Sequence, residues 1–231
     1  MNKLYIIHGW TYKIEAWEEV AKILKREGIS AELLKVPGLT KDSKKIWTIE
    51  DYVAWADNNM PDGAIALGHS NGGRILLNLA AKNSSKLRGL ILLDAAGIYE
   101  RSLKRSVLKF FSKLFGPLKK VPFLRKAVHR LIGASDYENA PENMKKTLDN
   151  MITSDRYLNL SQIDTRTQII WGSDDKITPL RQGEKMHKLL KNSTLTIKQG
   201  WSHSPYFGHK EDLAKEITRA YEALAKSGGL R

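Results

Sequence analysis

The sequence predicts an α/β protein whose parallel sheet is covered by helices on both faces. Two observations carry that expectation. Short apolar runs alternate along the chain with longer stretches of helical periodicity. Four of those runs lead directly into turns rich in glycine, histidine, serine or aspartate, as strands of a parallel sheet do at one common edge. A third observation, a basic segment near residues 97–160, marks where the alternation is interrupted.

The first strand is expected near 3–7, where Leu4-Tyr5-Ile6-Ile7 runs into His8-Gly9-Trp10. A helix near 13–27 places Ile14, Trp17, Val20, Ala21 and Leu24 along one face, and Gly28 ends it. A strand near 31–36 precedes Pro37-Gly38. The next helix starts with Thr48 as its cap and Asp51 three residues on. Strands near 63–68 and 87–93 flank a helix that follows Gly72-Gly73. After the interruption come a strand at 167–171, a helix near 179–191 with Pro179 in its first turn, a strand at 194–198 and a helix near 210–226.

Composition agrees with an enzyme core. A chain of 231 residues, 42% apolar and 27% charged, can bury one substantial core and does not read as disordered. Cysteine is absent, which removes disulfides, thiol nucleophiles and thiolate metal sites and fits a reducing, cytoplasmic setting. The apolar part of the first seven residues is too short for a secretion signal, and no run approaches the ~20 apolar residues of a membrane span.

Residues 68–72 read Gly-His-Ser-Asn-Gly, directly after Ala64-Ile65-Ala66-Leu67 and before a helix-like run. That is the pattern for a serine presented on a strand-to-helix turn, where glycines remove Cβ atoms that would crowd the bend. A serine nucleophile needs a base and donors for the developing oxyanion. The backbone N–H groups of Asn71 and of Trp10, brought close through Gly9, are the donor candidates. Two acids, Asp174 and Asp175, follow the strand that ends at Trp171. His203 follows the last strand, in Gly200-Trp201-Ser202-His203-Ser204-Pro205. The order serine, acid, histidine belongs to one of the three common serine hydrolase arrangements.

These motifs resemble those of the α/β-hydrolase superfamily, and within it the small, lid-bearing, esterase-like members. The resemblance spans nearly the whole chain. It implies that Asp175, three residues after Gly172, is the acid rather than Asp174, and that His203, three after Gly200, is the base. It leaves Asp94 in reserve, since some members take the acid from that strand end. Many members carry two further strands before the His-Gly strand, so the resemblance implies a reduced, mostly parallel sheet of about six strands. Serine at the nucleophile position sets the chain apart from the branches that use aspartate there. The implied organisation is a hydrolase core at 1–96 and 161–231, with a helical lid inserted at 97–160.

The inserted segment is strongly basic. Residues 99–133 hold ten Lys or Arg and one acid, +9 of the chain's +13. A helix over 101–115 would set Leu103, Val107, Phe110, Phe111 and Leu114 against Arg101, Arg105, Lys109 and Lys113. The apolar residues are expected to roof the substrate pocket. The charge has three readings: a solvated outer face, contact with an anionic membrane or lipid through residues 101–130, or attraction of an anionic substrate. No nucleic-acid motif accompanies it.

His69 reads as a packed neighbour of the nucleophile rather than a second base. His8, Gly9, Trp10 and Trp201 stand in motif loops and are expected at the pocket together with Leu103, Val107, Phe110 and Leu114. The histidines lack metal-ligand spacing, and no nucleotide-binding loop is present, so neither metal nor cofactor is expected. The expected activity is hydrolysis of a carboxylic ester with an apolar acyl or alcohol group through the Ser70, His203 and Asp175 triad and an acyl-enzyme on Ser70. The alternatives are the same triad acting on a carbon–carbon, thioester or amide bond, and an inactive binding module on the same scaffold.

Overall fold

The computed structural model describes residues 3–99 and 140–226. The expected lid residues Leu103, Val107, Phe110 and Leu114, and the basic segment 101–130, lie outside that range.

The described residues build a six-stranded sheet in the order β2-β1-β3-β4-β5-β6, with every neighbouring pair parallel. The strands are β1 (Lys3–Ile7), β2 (Ser30–Leu33), β3 (Ala64–His69), β4 (Leu87–Leu93), β5 (Thr167–Gly172) and β6 (Ser193–Lys198). The helices are α1 (Glu15–Arg26), α2 (Ile49–Asn58), α3 (Asn71–Lys82), α4 (Glu142–Ser154), α5 (Leu180–Leu189), the single turn α6 (Pro205–Gly208) and α7 (Lys210–Lys226).

Period-two alternation sorts the strand residues into two cores. Tyr5, Ile7, Ala66, Leu90, Leu92, Ile169 and Trp171 face α2, α3 and α4. Leu4, Ile6, Ile65, Leu67, Ile91, Leu93 and Ile170 face α1 and α7, against Trp17, Leu24, Leu213 and Tyr221. The central strands β3 and β4 are therefore buried on both faces, which explains their nearly unbroken apolar sequence.

Helix boundaries follow local chemistry. The Thr48 hydroxyl accepts from the Asp51 N–H, and the Asp51 carboxylate accepts from the Thr48 N–H. Two of the orphan donors at the start of α2 are thus satisfied reciprocally. The expected strand over 31–36 is shorter, ending at Leu33. Beyond it the Thr40 hydroxyl accepts from the Val36 N–H, so side-chain bonding folds 36–41 into a loop instead of extending the ladder.

The strand order places the site. From β1 the sheet grows outward to β2, and from β3 it grows the other way to β6. The two connections leave in opposite directions at the carboxyl ends of β1 and β3, opening the crevice where ligands bind in open parallel sheets. His8-Gly9-Trp10 leaves β1 at that point, and Ser70 leaves β3.

Candidate active site

Ser70 sits between β3 and α3 with φ 51° and ψ −117°, a left-handed conformation that costs a non-glycine residue roughly 1–3 kcal/mol. Its surroundings hold it there. The Ser70 N–H donates to the Leu93 carbonyl at 3.1 Å, and its own carbonyl accepts from Gly73 at 3.0 Å and Ala96 at 2.9 Å. The turn is tight enough that a Cβ on Gly68 would lie 2.6 Å from Gly73, and one on Gly72 would lie 2.0 Å from the Ile7 carbonyl oxygen. The glycines of the sequence motif are thus required by close approach.

The His203 ring bridges serine and acid. Its Nε2 lies 2.9 Å from Ser70 Oγ and its Nδ1 lies 2.7 Å from Asp175 Oδ2. A carboxylate can only accept, so Nδ1 carries the proton and Nε2 is left to accept from the serine hydroxyl. Asp175 is itself fixed. Its Oδ1 accepts from the Ile177 and Thr178 N–H groups at 2.7 and 3.0 Å, and its Oδ2 from the Thr178 hydroxyl at 2.7 Å. Burial works to raise the Asp175 pKa, but the His203 charge, the His203 hydrogen bond, Thr178 and the Ile177 amide together hold it below the ordinary carboxylate value.

The other acids stand apart from the imidazole. Asp174 is exposed and accepts from the Ser173 hydroxyl. Asp94 is fully buried, and its Oδ1 accepts from the Gly172 N–H at 2.8 Å. Its Oδ2 has no hydrogen-bond partner among the described residues. Burial, and then the nearby Asp175 charge, push the Asp94 pKa well above the carboxylate range. The two acids therefore act oppositely on stability. The contribution of Asp175 is present above about pH 3.9 and is lost as pH falls through its depressed value. Asp94 favours the fold most at low pH, and that advantage disappears as pH rises through its raised value. Asp94→Asn keeps the acceptor for Gly172 and removes the second titration. Thermal unfolding followed against pH should show a smaller stability loss in Asp94→Asn than in the wild type as pH rises from about 3.9 toward neutrality.

The His-Gly turn after β1 reaches the serine. A Cβ on Gly9 would lie 2.9 Å from Ser70 Cβ and 2.8 Å from His69 Nδ1, so only glycine lets the backbone pass so closely. Trp10, next in the chain, lines the cavity beside Ser70 and Asn71. His8, expected at the pocket, is buried and does not line it. Its Nδ1–H donates to the Gly9 carbonyl, and its Nε2 accepts from the Thr40 hydroxyl. Burial lowers its pKa to about 4, despite the opposing Gly9 hydrogen bond, so the ring is neutral and braces the turn.

Trp201 was also expected at the pocket and is placed elsewhere. It is 2% exposed in the core beneath α7, with its ring stacked on His209. The residue's neighbourhood in the sequence reflects a shared loop, while its side chain points into apolar packing. His69 does line the cavity, but it is fully buried and packs among Trp17, Tyr206 and His203. Its Nε2–H donates to the His203 carbonyl at 2.8 Å, and burial, with the His203 charge, lowers its pKa to about 3.

The cavity over the strand ends has a largely apolar wall that includes Ile98, Leu148, Ile152, Ile177 and Phe207. Leu148 and Ile152 come from α4, the described part of the segment expected as a lid. Sequence reasoning missed three polar members of this neighbourhood. Thr178, which touches both Asp175 and His203, was passed over beside Pro179. Arg74 and Asp155 pair in two parallel hydrogen bonds, Nε to Oδ1 at 2.7 Å and Nη2 to Oδ2 at 2.9 Å, and both line the cavity. A lone arginine amid the apolar face of α3 was the available signal, since a buried charge requires a partner. Among the described residues no group of three His, Asp or Glu is placed to hold a metal ion, and no helix is long and apolar enough to cross a membrane.

The chain belongs to the α/β-hydrolase fold family, whose model matches residues 2–157. Family, fold and the hydrogen-bonded serine, histidine and carboxylate together give a serine hydrolase of carboxylesterase type. The chain is 27% identical over 257 aligned positions to a pimeloyl-[acyl-carrier protein] methyl ester esterase of Neisseria meningitidis serogroup B, covering 100% of this chain and 95% of that protein. It is 23% identical to the protein of that name from Pseudoalteromonas atlantica, over 92% of this chain and 91% of the relative. Among solved structures, an α/β-hydrolase enzyme from the metagenome of lagoon sediments at Mar Chica, Morocco, superposes with a TM-score of 0.71 at 18% identity, over 96% of this chain and 91% of that one. A monoacylglycerol lipase of Paleococcus ferrophilus gives 0.66 at 15% identity, over 96% and 94%.

Proposed function

We propose that Ser70, His203 and Asp175 hydrolyse carboxylic esters bearing an apolar acyl or alcohol group. The observation that carries this reading is the hydrogen-bonded line from Asp175 through His203 to Ser70, opening into an apolar cavity. Ser70 Oγ attacks the ester carbonyl while His203 Nε2 takes its proton. The tetrahedral oxyanion is received by the N–H groups of Trp10 and Asn71, the latter free of an intrahelical partner in the first turn of α3. Collapse expels the alcohol, which takes the proton back from His203. Water then attacks the acyl-enzyme, His203 accepts its proton, and the acid leaves as Ser70 is restored. Asp175 keeps His203 in the productive tautomer throughout.

Residues 97–160 form the cap over this site in the proposal, with Leu148 and Ile152 in its wall and Leu103, Val107, Phe110 and Leu114 completing the roof. The substrate is then a small-molecule ester. The relatives named for a methyl ester on a carrier-bound pimeloyl chain support a second form of the reading, in which a carrier protein presents the acyl chain in place of a free small molecule and methanol is the leaving group. The net charge of +13 supports attraction of an acidic carrier. Hydrolysis of p-nitrophenyl acetate, butyrate and octanoate, beside the matching anilides, tests the reaction class. Ester turnover with kcat/KM rising from acetate to butyrate, and negligible anilide cleavage, is the expected result. Anilide cleavage at comparable rates would replace the esterase reading by an amidase.

The proposal places the enzyme in the cytoplasm, with peripheral membrane contact through residues 101–130 as its second element. The concentration of basic charge supports that element. Changing Arg101, Arg105, Lys109 and Lys113 together to Glu should leave turnover of a small neutral ester within about twofold and strongly reduce binding to anionic vesicles at low salt. Wild-type protein that ignores such vesicles would leave the charge as a solvated face.

A further inference from the structure

We propose that Arg74, held by Asp155, is a positioning residue for the oxyanion donor Asn71. This deepens the esterase reading and rests on it. Arg74 lies one helical turn beyond Asn71 on α3, so the two side chains share a face. The Arg74 Nη1–H donates to the Asn71 carboxamide oxygen, while Nε and Nη2 form the fork onto Asp155. Both charged side chains are nearly fully buried, 7% and 5% exposed. All three residues line the cavity that contains Ser70.

Asn71 supplies its backbone N–H to the oxyanion in this mechanism, and its side chain gives a handle on its orientation beyond the helix backbone. That handle is gripped by a planar, bidentate pair whose other end is anchored where α4 terminates, since Asp155 caps that helix. The pair is neutral as a unit, so it adds no net charge toward substrate. It connects the first turn of the nucleophile helix to the segment that returns from the insertion. An oxyanion donor must be held within a fraction of an ångström, and misplacement by about 1 Å costs on the order of a hundredfold in rate.

Removing one partner leaves a buried charge and endangers the fold, so the decisive variant removes both. Arg74→Met with Asp155→Leu replaces the pair by apolar side chains, a change that buried pairs often tolerate. The variant should fold, keep KM for p-nitrophenyl butyrate within about twofold, and lose about tenfold to a hundredfold in kcat. Affinity for a boronic acid mimic of the tetrahedral adduct should fall in parallel. Arg74→Lys, which keeps charge but loses the fork, should fall between wild type and the double variant. Wild-type kcat in the folded double variant, or a rise in KM alone, would overturn the inference. The Asn71 amide resonance gives a readout independent of turnover. It should shift in the double variant, and an unmoved resonance would overturn the brace even if no ester proved to be a substrate. Failure of the wild-type protein to react at Ser70 would instead count against the esterase reading.

Discussion

His203→Ala should reduce kcat for p-nitrophenyl butyrate by about a millionfold, and Asp175→Asn by about ten-thousandfold, with both proteins folded. The first change removes the base itself, which accepts from Ser70 at 2.9 Å. The second keeps the shape of the acid but lets its amide donate toward Nδ1, which favours the wrong imidazole tautomer. Thr178 cannot restore it. Its hydroxyl lies 3.2 Å from Nδ1, but it has one proton and no charge to stabilise the imidazolium. Asp94→Asn should cost less than about tenfold, because Asp94 bonds to Gly172 and not to His203. Steady-state kinetics on the three variants separates the roles. A severe loss in Asp94→Asn with a mild one in Asp175→Asn would reverse the assignment of the acid.

Among the described glycines, Gly72→Ala should be the most damaging substitution. Its Cβ would fall 2.0 Å from the Ile7 carbonyl oxygen and 2.7 Å from the Ile7 carbonyl carbon, both backbone atoms of a central strand. Relief requires α3 to move away from β1, which separates Ser70 from the turn that carries Trp10. The expected loss is about 3 kcal/mol or more, with midpoint temperature falling roughly 6–12 °C for a chain of this size. Gly63→Ala is the control for backbone conformation alone, since that glycine has φ 69° but open space around it. Thermal unfolding should rank Gly72→Ala clearly below Gly63→Ala. Equal losses would mean that steric approach at the elbow does not govern stability there.

The central strands were legible because parallel strands buried on both faces are written as short apolar runs, whereas the end of the edge strand β2, whose residues are only partly buried, was not. The elbow was legible for a related reason: a Cβ on Gly68 or Gly72 would strike backbone atoms, and one on Gly9 would strike the side chains of His69 and Ser70. The direction of a loop side chain carries no such signature. Trp201 and His8 share loops with functional residues, yet one packs under α7 and the other bonds to Thr40. The Arg74–Asp155 pair was hidden because its members lie 81 positions apart and join a core helix to the end of the inserted segment, a contact that periodicity along one element cannot express. Thr178 is close to Asp175 in sequence, but its role depends on the turn that folds its hydroxyl back onto the carboxylate.

Reaction with a fluorophosphonate tests the central claim most directly, because it requires an activated serine and is independent of which ester the enzyme uses. Intact-mass and peptide analysis should find one adduct, on Ser70, in the wild-type protein. The adduct should be absent in Ser70→Ala and slowed by orders of magnitude in His203→Ala. Folded wild-type protein that stays unmodified, or that carries the adduct on a serine other than Ser70, would contradict the account.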